Sequence, residues 1–216
     1  MKKLRERAEI ILRKMEKLFP DASTELENWE TPFQFLICII LSAQTTDKQV
    51  NKITKKLFRK YPDPQALASA KLSEVEGAIN SVNFYRNKAK HIVGMAKRVE
   101  EAYNGIVPDN EKDLLTLPGV GRKTAHVFLN DLYQKNEGIA VDTHVARVAQ
   151  RMGLTKHTDP DKISRDLEAL YAQKEWYKVN STFVLYGRYV CKARMSKSAC
   201  VLREYCSYCK DLPVAK

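Results

Sequence analysis

A lysine follows a proline-glycine turn at the point where an apolar helix pattern restarts. In the segment LLTLPGVGRKTAHVFL of residues 114–129, one apolar-periodic stretch meets PGVG, and a second begins near Arg122. The pattern predicts a helix, a tight turn and a second helix, with glycines that let the backbone approach another surface closely. The amides that open the second helix would point outward with the positive end of its dipole, which suits a phosphate group.

Lys123 stands in the first turn of this second helix. The helix dipole disfavours an ammonium there and favours the neutral amine. A neutral amine is the nucleophile of Schiff-base chemistry, so Lys123 is a candidate nucleophile for an electrophilic carbon. An exposed lysine that binds phosphate is the commoner role, and the hairpin alone leaves both roles open.

Asp142 ends a short apolar stretch, Ile139 to Val141, and helical spacing resumes at Val145. This position predicts that Asp142 is the N-cap of the next helix. The helix amides would hold the side chain as a carboxylate, which could also stabilise a developing cation or accept a proton. Capping and chemistry are compatible roles for one carboxylate.

Four of the five cysteines lie close together near the end of the chain, with gaps of eight, five and two residues: Cys191, Cys200, Cys206 and Cys209. Such density indicates a metal site, because thiolates bind both iron-sulfur clusters and tetrahedral zinc. The spacing does not separate these two. Cys38, inside the apolar run FLICIIL, is expected to be a small buried hydrophobic residue.

Helical periodicity dominates the elements that would position these residues. Apolar residues recur at steps of three and four from Leu4 to Leu18, and Pro32 sits where a first-turn proline precedes a helix buried nearly all round. The only strand-like segment, residues 139–141, is too short to found a sheet. The sequence therefore predicts an all-α fold.

The composition favours a polyanionic partner. Thirty-seven Lys and Arg against twenty-six Asp and Glu give a formal charge of +11. Basic stretches at residues 52–60, 86–90 and 192–197 could follow a nucleic-acid backbone. The basic N-terminus has no continuous apolar region and FLICIIL is too short to span a bilayer, so the protein is expected to be intracellular and not secreted.

Three ordered motifs carry a resemblance to a known family. LPGVGRKTA, VDTHVARV and the earlier LSAQTTDKQVN resemble bacterial and archaeal endonuclease III, within the helix-hairpin-helix glycosylase superfamily, and the likeness runs from about residue 33 to 209. It implies a bifunctional DNA glycosylase and AP lyase that excises oxidised or damaged pyrimidines. Lys123 would attack C1′ of the damaged nucleotide, and Asp142 would be the catalytic aspartate. The lysine also argues against the adenine-mismatch glycosylases of the same fold.

The resemblance also implies residues that contact damaged duplex DNA. Gln44 and Phe84 would fill the gap left when the damaged nucleotide rotates out of the stack. Asn83 stands where the family usually has glycine. The remaining implied contacts are Leu117, Gly119, Val120, Gly121, Arg122 and His144.

For the cysteines the resemblance implies a structural [4Fe-4S] cluster on Cys191, Cys200, Cys206 and Cys209, although the family's usual gaps are six, two and five. Zinc is the alternative. The cluster would hold basic loops against DNA, a role for which it need not change its oxidation state.

The implied architecture has two helical domains with a DNA-binding cleft between them. Residues 25–135 would form the domain with the helix-hairpin-helix motif, and residues 1–24 with 136–216 the domain with the C-terminal cluster loop. The protein would act on the nucleoid as a monomer. The alternative is a helix-hairpin-helix module that binds DNA without catalysis, which would require neither Lys123 nor Asp142.

Overall fold

The computed structural model describes residues 2–194 and 200–209, which contain eleven α-helices and no β-strand. The helices are α1 (Lys2–Glu16), α2 (Pro32–Ser42), α3 (Asp47–Lys60), α4 (Pro64–Ala68), α5 (Leu72–Ala78), α6 (Tyr85–Tyr103), α7 (Glu111–Leu114), α8 (Arg122–Tyr133), α9 (Thr143–Arg151), α10 (Pro160–Leu170) and α11 (Trp176–Tyr189). The predicted all-α class is confirmed. None of the described helices has the length and apolar character needed to cross a membrane.

The chain divides into two compact units. Glu25–Tyr133 forms the first, which contains α2 to α8 and is called the hairpin unit below. The described parts of Met1–Thr24 and Gln134–Lys216 form the second, called the terminal unit, with α1 and α9 to α11. The hairpin unit is thus one continuous stretch of chain, whereas the terminal unit joins two distant stretches.

The core of the hairpin unit is built around α2. Thr31 caps this helix by accepting a hydrogen bond from Gln34 N, and Pro32 occupies the first helical position, as its fixed φ favours. Residues 33–41 are all buried, because α2 packs against α3, α6 and α8. The predicted helix with buried residues on every side is therefore confirmed.

The core of the terminal unit depends on the N-terminal helix. The Tyr171 hydroxyl donates to Ala8 O in α1 at 3.1 Å. Arg7 Nη2, also in α1, donates to Met152 O at 2.8 Å and to Tyr205 O at 2.6 Å. Helix α1 therefore holds the short 3₁₀ turn Arg203–Tyr205 that lies between two of the cysteines.

The strand-like segment 139–141 is buried and forms no strand in the described part of the chain. Side chains of α10 satisfy its backbone instead. Ile139 N donates to Glu168 Oε1 at 3.1 Å, and the Ser164 hydroxyl donates to Ile139 O at 2.7 Å. Burial without a sheet is possible because these two side chains replace ladder partners.

Candidate functional site

The helix-turn-helix predicted around PGVG is present in the hairpin unit. Helix α7 leads into the turn, which closes with Val120 N donating to Leu117 O at 3.1 Å. Helix α8 then begins at Arg122, and its first intrahelical bond runs from Ala125 N to Gly121 O at 2.9 Å. The amides of residues 122–124 precede that bond, so they are the outward-pointing donors of the helix start.

The residues of the hairpin differ in how far they are exposed to solvent. Leu117 and Val120 are 2% and 7% exposed, so their side chains pack in the core and hold the turn in place. Gly119, Gly121 and Arg122 are exposed. The surface of the hairpin therefore consists of two glycines and the first turn of α8.

The two glycines of the turn meet different surroundings. Gly119 has φ +81°, and a Cβ there would lie 2.7 Å from the Cβ of His91. A Cβ on Gly121 would meet no described atom within 4 Å. Gly119 is thus required by the packing of the fold, whereas the open space beside Gly121 remains available to a ligand.

Lys123 is the second residue of α8, and its side chain is exposed. Beside it, Glu111 Oε1 accepts from Arg122 Nε and lies within hydrogen-bonding distance of His126 Nε2, both at 3.1 Å. A carboxylate only accepts, so Nε2 of the buried His126 carries the proton. Glu111 thereby fastens α7 to the turn of α8 that carries Lys123.

Gln44 and Phe84 lie on two loops of the hairpin unit, and both have left-handed backbones with φ +53° and +57°. Both side chains are exposed, Phe84 to 63%. Left-handed geometry is costly for residues other than glycine and persists where the surroundings impose it. Asn83 Nδ2 imposes part of it by donating to Gln44 O at 2.5 Å.

Lys88 belongs to the basic stretch 86–90, which was expected to be able to follow a nucleic-acid backbone, but its side chain is only 5% exposed and is therefore not part of such a surface. Its Nζ donates to Leu41 O at 2.7 Å, to Ala43 O at 2.6 Å and to Thr45 Oγ1 at 3.0 Å. Burial lowers the pKa of Lys88 to about 8. The available signal was its place beside Ala89 on the apolar face of α6, where a charged residue needs partners.

In the terminal unit, Asp142 caps α9 as predicted. Its Oδ1 accepts hydrogen bonds from His144 N and Val145 N, both at 2.8 Å, and its backbone is extended. Both cap bonds end on Oδ1, so the cap leaves Oδ2 for other interactions. The cap therefore fixes the carboxylate without using both oxygens.

His144 is held on the next turn of α9. Arg147 Nη2 lies 3.0 Å from His144 Nδ1, and because a guanidinium only donates, Nδ1 is the acceptor and Nε2 carries the proton. Arg147 also donates to Gly187 O at 2.8 Å. A Cβ on Gly187 would lie 2.7 Å from the His144 Cβ, so close packing of α11 on α9 requires glycine.

Three of the four C-terminal cysteines come together in the terminal unit. The Sγ atoms of Cys200, Cys206 and Cys209 all lie within 4.8 Å of one another, and all three residues are buried. Cys191 lies outside this group, but it is near the same tyrosine as two of its members. The pKa of Tyr186 is raised by burial, by a hydrogen bond to Cys200, and by the electrostatic effect of Cys200, Cys191 and Cys206. All five cysteines are described, and none forms a disulfide.

Arg151 connects Cys191 to the rest of the cysteine segment. Its Nη1 donates to Cys191 Sγ at 3.3 Å and to Lys192 O at 2.9 Å. Its guanidinium also lies 4.0 Å from the centre of the Tyr208 ring, and its carbonyl oxygen accepts from Ser207 N at 2.9 Å. Arg151 therefore holds both flanks of the cysteine segment on the last turn of α9.

The donor set fits a thiolate-bound metal centre. Burial raises the pKa of the Cys206 thiol, and it raises that of Cys209 to about 12. A bound cation would oppose this effect, because it stabilises the thiolate form of its cysteine ligands. The sulfur atoms satisfy the chemistry that both iron-sulfur clusters and zinc require.

Residues 195–197 of the third basic stretch lie outside the described residues.

Comparisons with known proteins agree with this geometry. Residues 37–173 match the family model described as HhH-GPD superfamily base excision DNA repair protein. The chain is 47% identical to endonuclease III of Synechocystis sp. over 88% of this chain and 86% of that protein, and 38% identical to endonuclease III of Bacillus subtilis over 92% and 90%. The solved structure of a trapped endonuclease III–DNA covalent intermediate aligns with a TM-score of 0.91 at 39% identity, covering 95% of this chain and 97% of that one.

Proposed function

Since the chain belongs to the endonuclease III family of the HhH-GPD superfamily, and is thereby a base excision repair DNA glycosylase with AP lyase activity, we propose that Lys123 is its nucleophile and that damaged pyrimidines in duplex DNA are its substrates. The observation that carries the proposal is the exposed Lys123 on the first turn of α8, directly after the glycine turn. Its substrate would then be the duplex DNA of the nucleoid, on which it acts as a monomer.

The proposed reaction begins at the sugar of the damaged nucleotide. The Lys123 amine donates its electron pair to C1′ while the glycosidic bond breaks and the base leaves with that bond's electrons and a proton. Loss of the amine's protons and opening of the sugar ring give an imine. Removal of a proton from C2′ then expels the 3′ phosphate by β-elimination, which cleaves the strand.

Asp142 is proposed as the carboxylate of this chemistry. Both cap bonds reach Oδ1, which fixes the side chain at the start of α9. Its Oδ2 would stabilise the positive charge that develops on the sugar or accept a proton during the reaction. His144, fixed by Arg147, and the exposed first turn of α8 are proposed as contacts to DNA phosphates.

For the cysteines we propose a [4Fe-4S] cluster on Cys191, Cys200, Cys206 and Cys209, with zinc as the second candidate. Three of the sulfur atoms already lie together, and Arg151 Nη1 donates to the fourth, Cys191 Sγ. The bound group would supply a rigid cross-link within the terminal unit. Visible absorbance with iron and sulfide analysis distinguishes the candidates, since a colourless protein that contains zinc would contradict the cluster.

Borohydride reduction of the imine on a duplex with one abasic site tests the proposal. The native protein is expected to form a covalent adduct, and Lys123→Ala is expected to form none while it melts at the native temperature. Lys97→Ala, which removes an exposed lysine of α6, is the matched control and should trap like the native protein. Absence of a native adduct would favour the module that binds DNA without catalysis, and an adduct that persists in Lys123→Ala would assign the nucleophile to another residue. Duplexes with single oxidised pyrimidines or purines then test the substrate class.

A further inference from the structure

The loops of Gln44 and Phe84 are tied together by side chains that the proposed reaction does not use. Gln44 follows the C-terminus of α2, and Phe84 directly precedes α6, forty residues further along the chain. Both belong to the hairpin unit, and both have positive φ. Two exposed residues with the same costly backbone geometry on joined loops indicate that the surroundings hold them for a purpose.

The first tie comes from the residue next to Phe84. Asn83 Nδ2 donates to Gln44 O, so the side chain of one loop holds the backbone of the other at its left-handed residue. Asn83 is itself exposed, and the core therefore does not need its side chain. The hydrogen bond fixes the position of Gln44 relative to Phe84.

The second tie lies one helical turn after Phe84. Lys88 N donates to Phe84 O at 3.0 Å, while Lys88 Nζ donates to Leu41 O in α2, to Ala43 O directly after α2 and to Thr45 Oγ1. Three N–H donors meet three oxygen acceptors, and the two carbonyls are among those that the end of α2 leaves without helical partners. Lys88 therefore joins the start of α6 to both sides of Gln44.

We infer that Asn83 and Lys88, together called the loop clasp, are positioning residues that hold Gln44 and Phe84 as one preorganised pair for insertion into the gap of a damaged duplex. The inference rests on the proposed function and on the role that the family resemblance implies for these two side chains, which is to fill that gap. Filling a gap with two separately mobile loops would cost conformational entropy at each binding event, and the clasp removes that cost in advance. The clasp thus acts on recognition of the lesion and leaves the chemistry at Lys123 unchanged.

Asn83→Asp tests the clasp, because its carboxylate cannot donate to Gln44 O. Binding is measured to a duplex that carries a tetrahydrofuran abasic analogue and to the same duplex without it, with 2-aminopurine opposite the analogue to report unstacking. The variant is expected to bind the lesion duplex about five- to tenfold more weakly, as for the loss of one hydrogen bond. Binding to the intact duplex and borohydride trapping on single-stranded abasic DNA, where no gap exists, should not change.

Asn87→Asp is the matched control, since it makes the same charge change at an exposed position four residues later. Equal weakening in both variants would assign the effect to charge and overturn the clasp, as would native binding by Asn83→Asp. In a background that carries both Gln44→Ala and Phe84→Ala, Asn83→Asp should cause no further loss of affinity for the lesion duplex. Thr45→Val removes one acceptor of Lys88 without leaving a cavity in the core. It should lower the affinity for the lesion duplex, but by less than Asn83→Asp does.

Two further variants separate this inference from the proposed function. If Gln44→Ala and Phe84→Ala bind the lesion duplex as the native protein does, the insertion role is wrong and the clasp fails with it. If they weaken binding and Asn83→Asp does not, only the clasp is wrong. Trapping by the native protein decides the role of Lys123 independently of both outcomes.

Discussion

Gly119 faces His91 so closely that a Cβ on the glycine would lie 2.7 Å from the Cβ of the histidine. The glycine also has φ +81°, a conformation that side-chain-bearing residues rarely adopt. Helix α6, which carries His91, therefore sets the path of the hairpin turn that precedes Lys123. The neighbouring Gly121 has no such constraint. Alanine substitutions at the two glycines therefore form a matched pair, one that tests packing and one that tests DNA binding.

Gly119→Ala should destabilise the fold. The added methyl group meets His91 and the backbone must leave its left-handed conformation, for a combined loss of about 2 kcal/mol or more in the free energy of unfolding. Denaturant unfolding measures this loss. A variant as stable as the native protein would show that the hairpin accommodates the methyl group by moving.

Gly121→Ala should affect DNA binding and leave stability nearly unchanged. The added Cβ meets no described atom within 4 Å, so the unfolding free energy should change by less than about 1 kcal/mol. If a phosphate approaches the amides at the start of α8, the methyl group blocks it, and affinity for duplex DNA should fall roughly tenfold. Native affinity would contradict a phosphate site at this glycine.

Asp142→Asn should separate the cap from the chemistry. Asparagine caps helices as well as aspartate does, so the melting temperature should stay close to native while base excision slows by about 100-fold or more. Asp142→Ala loses the cap as well and should cost about 1 kcal/mol of stability. Single-turnover excision and thermal melting measure the two effects, and equal activity of the asparagine variant would rule out a catalytic carboxylate.

Cys209→Ser should lower the metal content and the stability of the terminal unit. Cys209 Sγ is one of the three grouped sulfur atoms, whereas Cys38 lies buried in the hairpin unit. Cys38→Ala is therefore the control, and it should keep the native metal content per chain. Elemental analysis and visible absorbance follow the metal, and an unchanged content in Cys209→Ser would remove this residue from the ligand set.

Asp131→Asn should make stability less dependent on pH. Burial raises the pKa of Asp131 to about 7, above the value of about 4 expected in the unfolded chain. The unfolded chain therefore loses this proton first as pH rises, and the unfolding free energy falls between about pH 4 and 7 and stays lower above pH 7. The variant should be more stable than native by about 1 kcal/mol or more at pH 8 and equal near pH 4. Asp21→Asn, at an exposed carboxyl, should show no such difference.

Local rules explain what the sequence could predict. Pro32 at the start of α2, the cap by Asp142 and the helix start at Arg122 each depend on residues within one helical turn, and all three are present. The grouping of Cys200, Cys206 and Cys209 also follows from short spacing. Such features need no knowledge of distant contacts.

Distant contacts explain what the sequence could not predict. Lys88 binds Leu41 and Ala43, more than forty residues earlier, and without those carbonyls it is one of many lysines. Gly119 and Gly121 are equivalent within PGVG, and only the position of His91 separates them. The contact of Arg151 with Cys191 likewise depends on how α9 packs, which the periodicity of α9 does not specify.

The contacts of Arg151 on both flanks of the cysteine segment also determine how a metal would find its ligands. Lys192 O and Ala193 O bind the guanidinium at one flank, and Ser207 and the Tyr208 ring contact the same residue at the other. These protein contacts therefore offset part of the loop-closure entropy between the flanks, which the bonds to a bound metal would otherwise have to offset alone. A chelator that removes the metal would leave this loop closed at its ends, so reconstitution would proceed from ligands that are already gathered.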